Sequence, residues 1–298
     1  MSVFNILSNE SAEFWEVADS LYQEETSQIS GIPGKTPILR WAGSKKKLLP
    51  NLQLATPKKF NIYYEPFFGS GVFFLHLDPK ISVISDINPH LIQAYQMIKD
   101  FPVELWSLLK SIPADQDLYY HLRGLDCTDL DELSRAARFL YLNRFCFNGV
   151  YRTNRKGGFN VSRGKGNLGI PTQEVFYAFS KRLQSCEIYN LDFERVLEEA
   201  SSGDFVYLDP PYIDLTKRNR GEYGLDSFGF SDLERLVSSA RLATERGVKI
   251  LISYFECPSL KSMLSDWYIE EISVQRNVSC NTTARSKARE IFLSNYIY

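Results

Sequence analysis

The stretch that most limits how this chain can fold is Gly203-Asp204-Phe205-Val206-Tyr207-Leu208-Asp209-Pro210-Pro211-Tyr212. Phe205 to Leu208 is a short apolar, β-rich run and predicts a buried strand. The two prolines end it, because neither has an amide N–H for further pairing. In an open α/β sheet, ligands sit outside the carboxyl ends of the strands. The loop would therefore hold up a carboxylate (Asp209), a carbonyl that no helix ties up (Pro210) and an aromatic face (Tyr212). Two adjacent acceptors match the two hydrogens of a nucleobase's exocyclic amine, and the aromatic can stack on the base. The blander alternative is a proline turn after a core strand, with Asp209 capping a neighbouring amide.

A second unit of the same kind lies upstream. Ile62-Tyr63-Tyr64-Glu65-Pro66-Phe67-Phe68-Gly69-Ser70-Gly71 reads as a strand and a G-x-G turn, continued by an apolar helix over 72–77. Glycines at that place let a ligand approach the backbone closely. The next strand, Ile81 to Ile84, runs to Ser85-Asp86-Ile87-Asn88, and an acid after the second strand of such a unit suits a ribose diol. Together these predict a nucleoside-type pocket. The third glycine of the dinucleotide fingerprint is missing, which argues against a nicotinamide cofactor. Before it, Pro37-Ile38-Leu39-Arg40-Trp41-Ala42-Gly43-Ser44-Lys45 predicts a strand-like start. It runs into a turn with a lysine at a helix N-terminus, a place suited to a carboxylate or phosphate.

Between about Leu91 and Pro171 the apolar positions fall at helical spacing, so a helical insertion is expected. The net charge of −2 argues at first sight against a polyanion, but its distribution does not. From Leu133 to Gln173 there is no acid, while Arg135, Arg138, Arg144, Arg152, Arg155, Lys156, Arg163 and Lys165 all fall there. Such a run is the electrostatic footprint of a nucleic-acid partner. Inside it, Asn143 to Asn154 and Gly157-Gly158-Phe159-Asn160-Val161 alternate aromatics, asparagines and arginines with glycines. Those side chains can wedge between bases, read base edges and hold phosphate. With no acids in the run, the arginines are expected to be unpaired and free for binding; the alternative is a hairpin packed with aromatics.

The remainder sets limits. Residues 1–34 predict an appendage with an acidic amphipathic helix over Glu10 to Gln23. Ile213 to Gly229 predicts a mobile polar loop, followed by a helix from about Ser231 to Arg246. Val248 to Ser253 predicts a buried strand. Glu270–Val274 and Glu290–Tyr298 predict an edge hairpin joined by the polar linker Asn277 to Arg289. The five cysteines are scattered, with no C-x-x-C and no histidine cluster, which fits a reducing compartment and predicts no metal site. No apolar run is long enough for a membrane span and the N-terminus lacks a signal pattern, so a cytoplasmic protein without membrane contact is expected.

These pieces resemble the Dam-like (alpha-group, D12 class) DNA adenine-N6 methyltransferases over about residues 36 to 298. The resemblance rests on Leu39 to Lys45, Glu65 to Gly71, Asp86-Ile87-Asn88, Phe147-Asn148-Gly149-Val150-Tyr151-Arg152-x-Asn154 and Asp209-Pro210-Pro211-Tyr212, in that order. It implies an α/β, Rossmann-like fold dependent on S-adenosylmethionine, with a seven-stranded sheet and an inserted helical target-recognition domain. The expected division is an extension (1–34), a catalytic domain (35–90 and 172–298) and a recognition domain (91–171). It implies catalytic roles for Asp209, Pro210, Pro211 and Tyr212. Cofactor contacts would come from Trp41, Lys45, Glu65, Phe67, Gly69, Gly71, Asp86 and Asp209. Contacts to double-stranded DNA would come from Arg40, Phe147, Asn148, Arg152, Asn154, Asn160 and Arg163, with Phe147 inserted into the duplex. Two departures stand out: Ser44 where the family has glycine, and Ser162 where proline usually follows Phe-Asn-Val.

The implied activity is site-specific methylation of adenine N6 by base flipping and direct transfer, at GATC or another G-A site, by a monomer. No cysteine follows a proline, so the covalent route of cytosine-C5 enzymes is excluded. Three rivals stay open: an RNA adenine-N6 methyltransferase, a non-catalytic DNA-binding protein with a relict cofactor pocket, and a nucleotide-dependent oxidoreductase.

Overall fold

The computed structural model describes residues 34–154, 156–165, 169–213, 228–274 and 288–298. The expectations for the acidic helix within 1–34, for most of the loop after Tyr212 and for most of the 277–289 linker lie outside the described residues.

Seven strands form one sheet in the order β3-β2-β1-β4-β5-β7-β6. They are β1 (Tyr63–Glu65), β2 (Ser82–Ser85), β3 (Cys186–Tyr189), β4 (Phe205–Leu208), β5 (Lys249–Phe255), β6 (Tyr268–Val274) and β7 (Ala288–Ser294). The first five named in that order run parallel, and β7 enters antiparallel between β5 and β6, so the expected edge hairpin is present. Alternation across the sheet sorts the core. Phe205 and Tyr207 of β4 join one apolar cluster, while Val206 and Leu208 join the other. Because both faces are covered, all four β4 residues are buried and their run reads as continuous rather than alternating.

Helices fill the faces. In chain order they are α1 (Leu49–Ala55), α2 (Val72–Leu77), α3 (Pro89–Asp100), α4 (Pro102–Ser111), α5 (Gln116–Gly124), α6 (Glu132–Phe145), α7 (Gln173–Leu183), α8 (Phe193–Glu199), α9 (Phe230–Glu245) and α10 (Pro258–Met263). Helices α3 to α6 occupy the chain between β2 and α7, as expected of the helical insertion. Sheet residues such as Ile84 and Phe205 share one apolar cluster with Leu105, Tyr119 and Tyr141 from those helices. Asn88 caps α3 by accepting from the amides of His90 and Leu91, with Pro89 at the first helical position. Helix α9 starts one residue before the expected Ser231: Gly229 is the cap, and its N–H donates to the Asp232 carboxylate at 2.8 Å. It ends as expected before Gly247, whose φ of +84° suits glycine.

One expectation fails outright: Pro37 to Leu39 is not a strand. Pro37 has no N–H, and the next backbone groups are already taken. The Arg40 N–H donates to Asn143 Oδ1 at 2.9 Å, and Asn143 Nδ2 donates back to the Arg40 carbonyl at 2.7 Å. A side-chain amide from α6 thus does what a neighbouring strand would do.

Candidate active site

The strand order reverses between β1 and β4, which pair in parallel with Tyr63 opposite Phe205 and Tyr64 opposite Val206. Their carboxyl ends therefore open side by side, at the point where open α/β sheets bind ligands. One cleft there is lined by Trp41, Lys45, Glu65, Phe67, Gly69 and Asp86 together with Asp209, Pro210, Pro211 and Tyr212. Asp209 thus faces the glycine crevice instead of the core, as the amine-acceptor reading needs.

Asp209 Oδ1 accepts from Lys45 Nζ at 2.5 Å and from Ser253 Oγ at 3.3 Å, and Ser253 Oγ lies 2.8 Å from the Tyr207 hydroxyl. Burial pushes the Asp209 carboxyl up, while the Lys45 ammonium and the Ser253 hydroxyl oppose that rise. Asp209 Oδ2 and the Pro210 carbonyl accept no hydrogen bond among the described residues, and both residues line the cleft. Tyr212 is aimed by β7: its hydroxyl donates to Glu290 Oε2 at 2.6 Å, and its ring meets Tyr254 edge-on at 5.2 Å. Lys45 Nζ lies 4.8 Å from the centre of that ring. Lys45, expected to offer its charge to a phosphate or carboxylate ligand, is buried and spends it on Asp209.

The glycine turn serves the other end. Gly69 has φ +49°, and a Cβ there would fall 2.7 Å from Trp41 Cδ1. Its N–H donates to Asp86 Oδ2 at 3.0 Å, and the Asn88 N–H donates to Asp86 Oδ1 at 3.0 Å. Burial raises Asp86 to about 6 despite those bonds. Gly71 does not line the cleft. A side chain on it would meet the Phe68 ring at 2.4 Å, so it is glycine for packing at the start of α2. Glu65 accepts from the Tyr63 hydroxyl at 2.7 Å, and burial lifts it to about 8.

Residues not read from the sequence complete the cleft. Phe67 stacks on Phe193 at 5.5 Å and meets Phe228 edge-on at 6.0 Å, forming an aromatic wall. Asp192 caps α8 and pairs with Arg235 at 2.8 Å. The signal for this corner was the Asp192-Phe193 start of α8 just after β3. The signal for Ser253 was a lone hydroxyl inside the apolar run of β5.

The basic segment behaves differently from the expectation of free arginines. Arg138 is 6% exposed and donates to the Leu122, Arg123 and Leu125 carbonyls and to Cys127 Sγ, closing the end of α5. Arg144 donates to the Gly169 and Ile38 carbonyls. Arg135 pairs with Glu132 at 3.9 Å, and Arg163 Nη2 donates to the Ala114 carbonyl. The acid-free run was a poor guide because backbone carbonyls, invisible in a charge pattern, take up these guanidinium groups. Arg152 Nε donates to Asn160 Oδ1 at 2.7 Å, and the Asn154 carboxamide oxygen accepts from the amides of Lys156 and Gly158, holding a tight turn. Bridges Cys146–Arg163 and Thr153–Phe159 make this segment a small antiparallel loop. At its base, next to the Cys146–Arg163 bridge, Phe147 is 56% exposed and Asn148 has φ +55°. Ser162 is exposed, and its carbonyl accepts from the Phe147 N–H.

Among the described residues no cluster of three metal-capable side chains occurs, and no helix is long and apolar enough to cross a membrane. Comparison with known proteins adds a family model described as D12 class N6 adenine-specific DNA methyltransferase, which matches residues 41–278. A type II methyltransferase of Lactococcus lactis subsp. cremoris is 36% identical over 270 residues, covering 87% of this chain and 95% of that protein. A type II methyltransferase of Methanocaldococcus jannaschii is 32% identical over 285 residues, covering 87% and 99%. A DNA adenine methylase of Haemophilus influenzae is 32% identical over 263 residues, covering 86% and 92%.

Proposed function

This chain belongs to the D12 class N6 adenine-specific DNA methyltransferases, and from that premise we propose that it methylates N6 of a flipped-out adenine at one short site in double-stranded DNA. The observation that carries the reading is the pair of open acceptors, Asp209 Oδ2 and the Pro210 carbonyl, beside the Tyr212 ring in the Gly69 cleft.

The donor set fits S-adenosylmethionine. Asp86, held by the Gly69 and Asn88 amides, suits a ribose diol, and the Phe67–Phe193–Phe228 wall suits a purine. Trp41 and Lys45 border the same space, and Gly69 leaves its backbone bare. When bound, S-adenosylmethionine supplies an electrophilic methyl group on a sulfonium.

The chain's own residues then deal with a weak nucleophile. The lone pair of adenine N6 is delocalised into the ring. Asp209 Oδ2 and the Pro210 carbonyl, accepting one N6 hydrogen each, favour a pyramidal nitrogen and stabilise the positive charge that develops on it. Tyr212 holds the extruded ring by stacking, and fixing the amine in line supplies much of the remaining acceleration. Leaving the duplex costs a few kcal/mol, which Tyr212 stacking and insertion of the exposed Phe147 offset. The Lys45 ammonium favours the ionised form of Asp209 against the rise that burial causes.

In the same reading 91–171 is the recognition unit, 35–90 and 172–298 form the catalytic unit, 1–34 is an extension, and the protein acts as a monomer. Arg40 and Arg152 read guanine edges, with GATC or another G-A site as the target. Asn148 and the Asn154–Arg163 turn support them on the duplex. The test is to incubate the full chain with labelled S-adenosylmethionine and either duplex DNA or RNA, then to identify the modified nucleoside and map its position. N6-methyladenine at one G-A site in DNA is expected. Methylated RNA with unmodified DNA, or no transfer to either, overturns the reading.

A further inference from the structure

We infer that Asn143 is a positioning residue that sets the base-reading and cofactor-binding ends of the enzyme in one stroke, a proposal that rests on the function above. Asn143 lies near the end of α6 and is 3% exposed. Its amide takes both backbone groups of Arg40, at 2.9 and 2.7 Å. The strap over residues 36–44 belongs to no strand or helix, and this two-point clamp anchors its backbone, with Arg144 Nη1 on the Ile38 carbonyl at 3.4 Å beside it and Ile38 and Leu39 buried in the core.

The strap has work on both sides of the clamp. Towards the recognition loop, Gly149 (φ +64°) packs so closely that a Cβ would fall 2.2 Å from Arg40 Cβ. Towards the cleft, Trp41 lies over Gly69 and stacks on Tyr151 at 5.5 Å and 23°. Four residues further on, Lys45 reaches Asp209. A displaced strap would therefore move the Arg40 guanidinium away from the bases and Trp41 away from the cofactor together. Asn143 touches neither ligand and acts only through that backbone. Buried amide pairs of this kind are costly to break, because the partner groups lose their bonds while still shielded from water.

The experiment compares Asn143→Ala with Tyr141→Leu. Tyr141 is a buried residue on the same helix whose hydroxyl bonds the Pro113 carbonyl, away from the strap. Thermal midpoint, KM for S-adenosylmethionine, and the ratio of transfer on cognate duplex to transfer on a duplex altered at one base pair are measured for both. Asn143→Ala should raise that KM and lower that ratio by about tenfold each, and Tyr141→Leu should lower the thermal midpoint with both left near wild type. Should Asn143→Ala not fold, Tyr151→Leu, which removes the stack under Trp41, is expected to move the same two quantities. The inference is overturned if the variant that folds loses only stability, or if one quantity moves without the other. Wild-type chain that fails to methylate DNA sinks the proposed function instead. In that case affinities for S-adenosylmethionine and duplex, each measured directly, still read the strap.

Discussion

The cleft between β1 and β4 and the basic loop over 146–164, proposed to read the duplex, use polar residues in different ways. In the cleft, charge is buried and each group is fixed by another: Lys45 on Asp209, Tyr63 on Glu65, Gly69 and Asn88 on Asp86. Two acceptors, Asp209 Oδ2 and the Pro210 carbonyl, are left without a hydrogen bond among the described residues. In the loop, Asn154 and the Arg152–Asn160 pair hold the loop itself, and exposed Phe147 and Asn148 stand at its base. The lesson is that a chemical site built on strand ends is rigid and few-sided, whereas a reading surface is mostly scaffold with a few protruding contacts.

The largest effect that could break this contrast is at the chemistry. Asp209→Ala should lower methyl transfer by about a thousandfold while duplex affinity stays within about threefold, since an acceptor in the cleft is lost and the 146–164 loop is untouched. Filter binding and single-turnover transfer on the same preparation measure both. Loss of duplex binding along with transfer would mean that Asp209 holds the loop up instead of acting on the amine.

Two arginines from the same acid-free run should then part company. Arg138→Ala strips four partners of a buried guanidinium and should cost about 3 kcal/mol of stability, read as a lower urea midpoint. Arg152→Ala should leave that midpoint unchanged. It should instead relax discrimination at one base pair by roughly 1–3 kcal/mol, about five- to 150-fold. If Arg152→Ala weakened all sequences equally, it would be a phosphate contact and the division of labour within the loop would need redrawing.

That pair also shows what was legible in advance. β4 and its Asp209-Pro210-Pro211-Tyr212 end could be read because burial on both faces forces an apolar run, and prolines mark where pairing stops. Asp86 and Gly69 could be read for the same reason, since short strands and tight turns dictate residue type locally. Pro37 to Leu39 looked like a strand because its composition is β-rich. The Ile38 carbonyl and the backbone of the following Arg40 are held by side chains of Arg144 and Asn143, over a hundred positions away, which no local pattern displays. Arg138 and Arg144 looked free because carbonyl acceptors carry no charge to count. β3 is not legible because an edge strand of four residues alternates exposed and buried positions too briefly to stand out.

Phe147 gives a smaller test on the loop side. Phe147→Ala removes an exposed ring from the 3-10 turn Phe147–Gly149, so stability should hold while KM for duplex rises by about tenfold, the scale of a lost unstacking wedge. A duplex carrying a mismatch at the target adenine, already partly unstacked, should recover most of that loss. If the mismatch gave no recovery, Phe147 would be a packing contact on the duplex surface and not a wedge.

The gentlest probe is pH, and it acts on the cleft alone. Burial raises Asp209, so lowering pH protonates it earlier than an ordinary aspartate and removes the acceptor charge; the transfer rate should fall on the acid side. Lys45→Met removes the cation that favours the carboxylate, so the acid limb should move to higher pH. Asp86, raised to about 6, should be charged above that value and neutral below it. KM for S-adenosylmethionine should accordingly rise as pH drops through about 6, by a few-fold at most, because a neutral carboxyl still accepts a hydrogen bond from a diol. Duplex affinity measured without cofactor should not follow either limb, since neither Asp209 nor Asp86 belongs to the loop. A duplex-binding curve that tracked Asp86 would show that the two regions share a titrating group, and the contrast between a rigid site and an independent reading surface would fail.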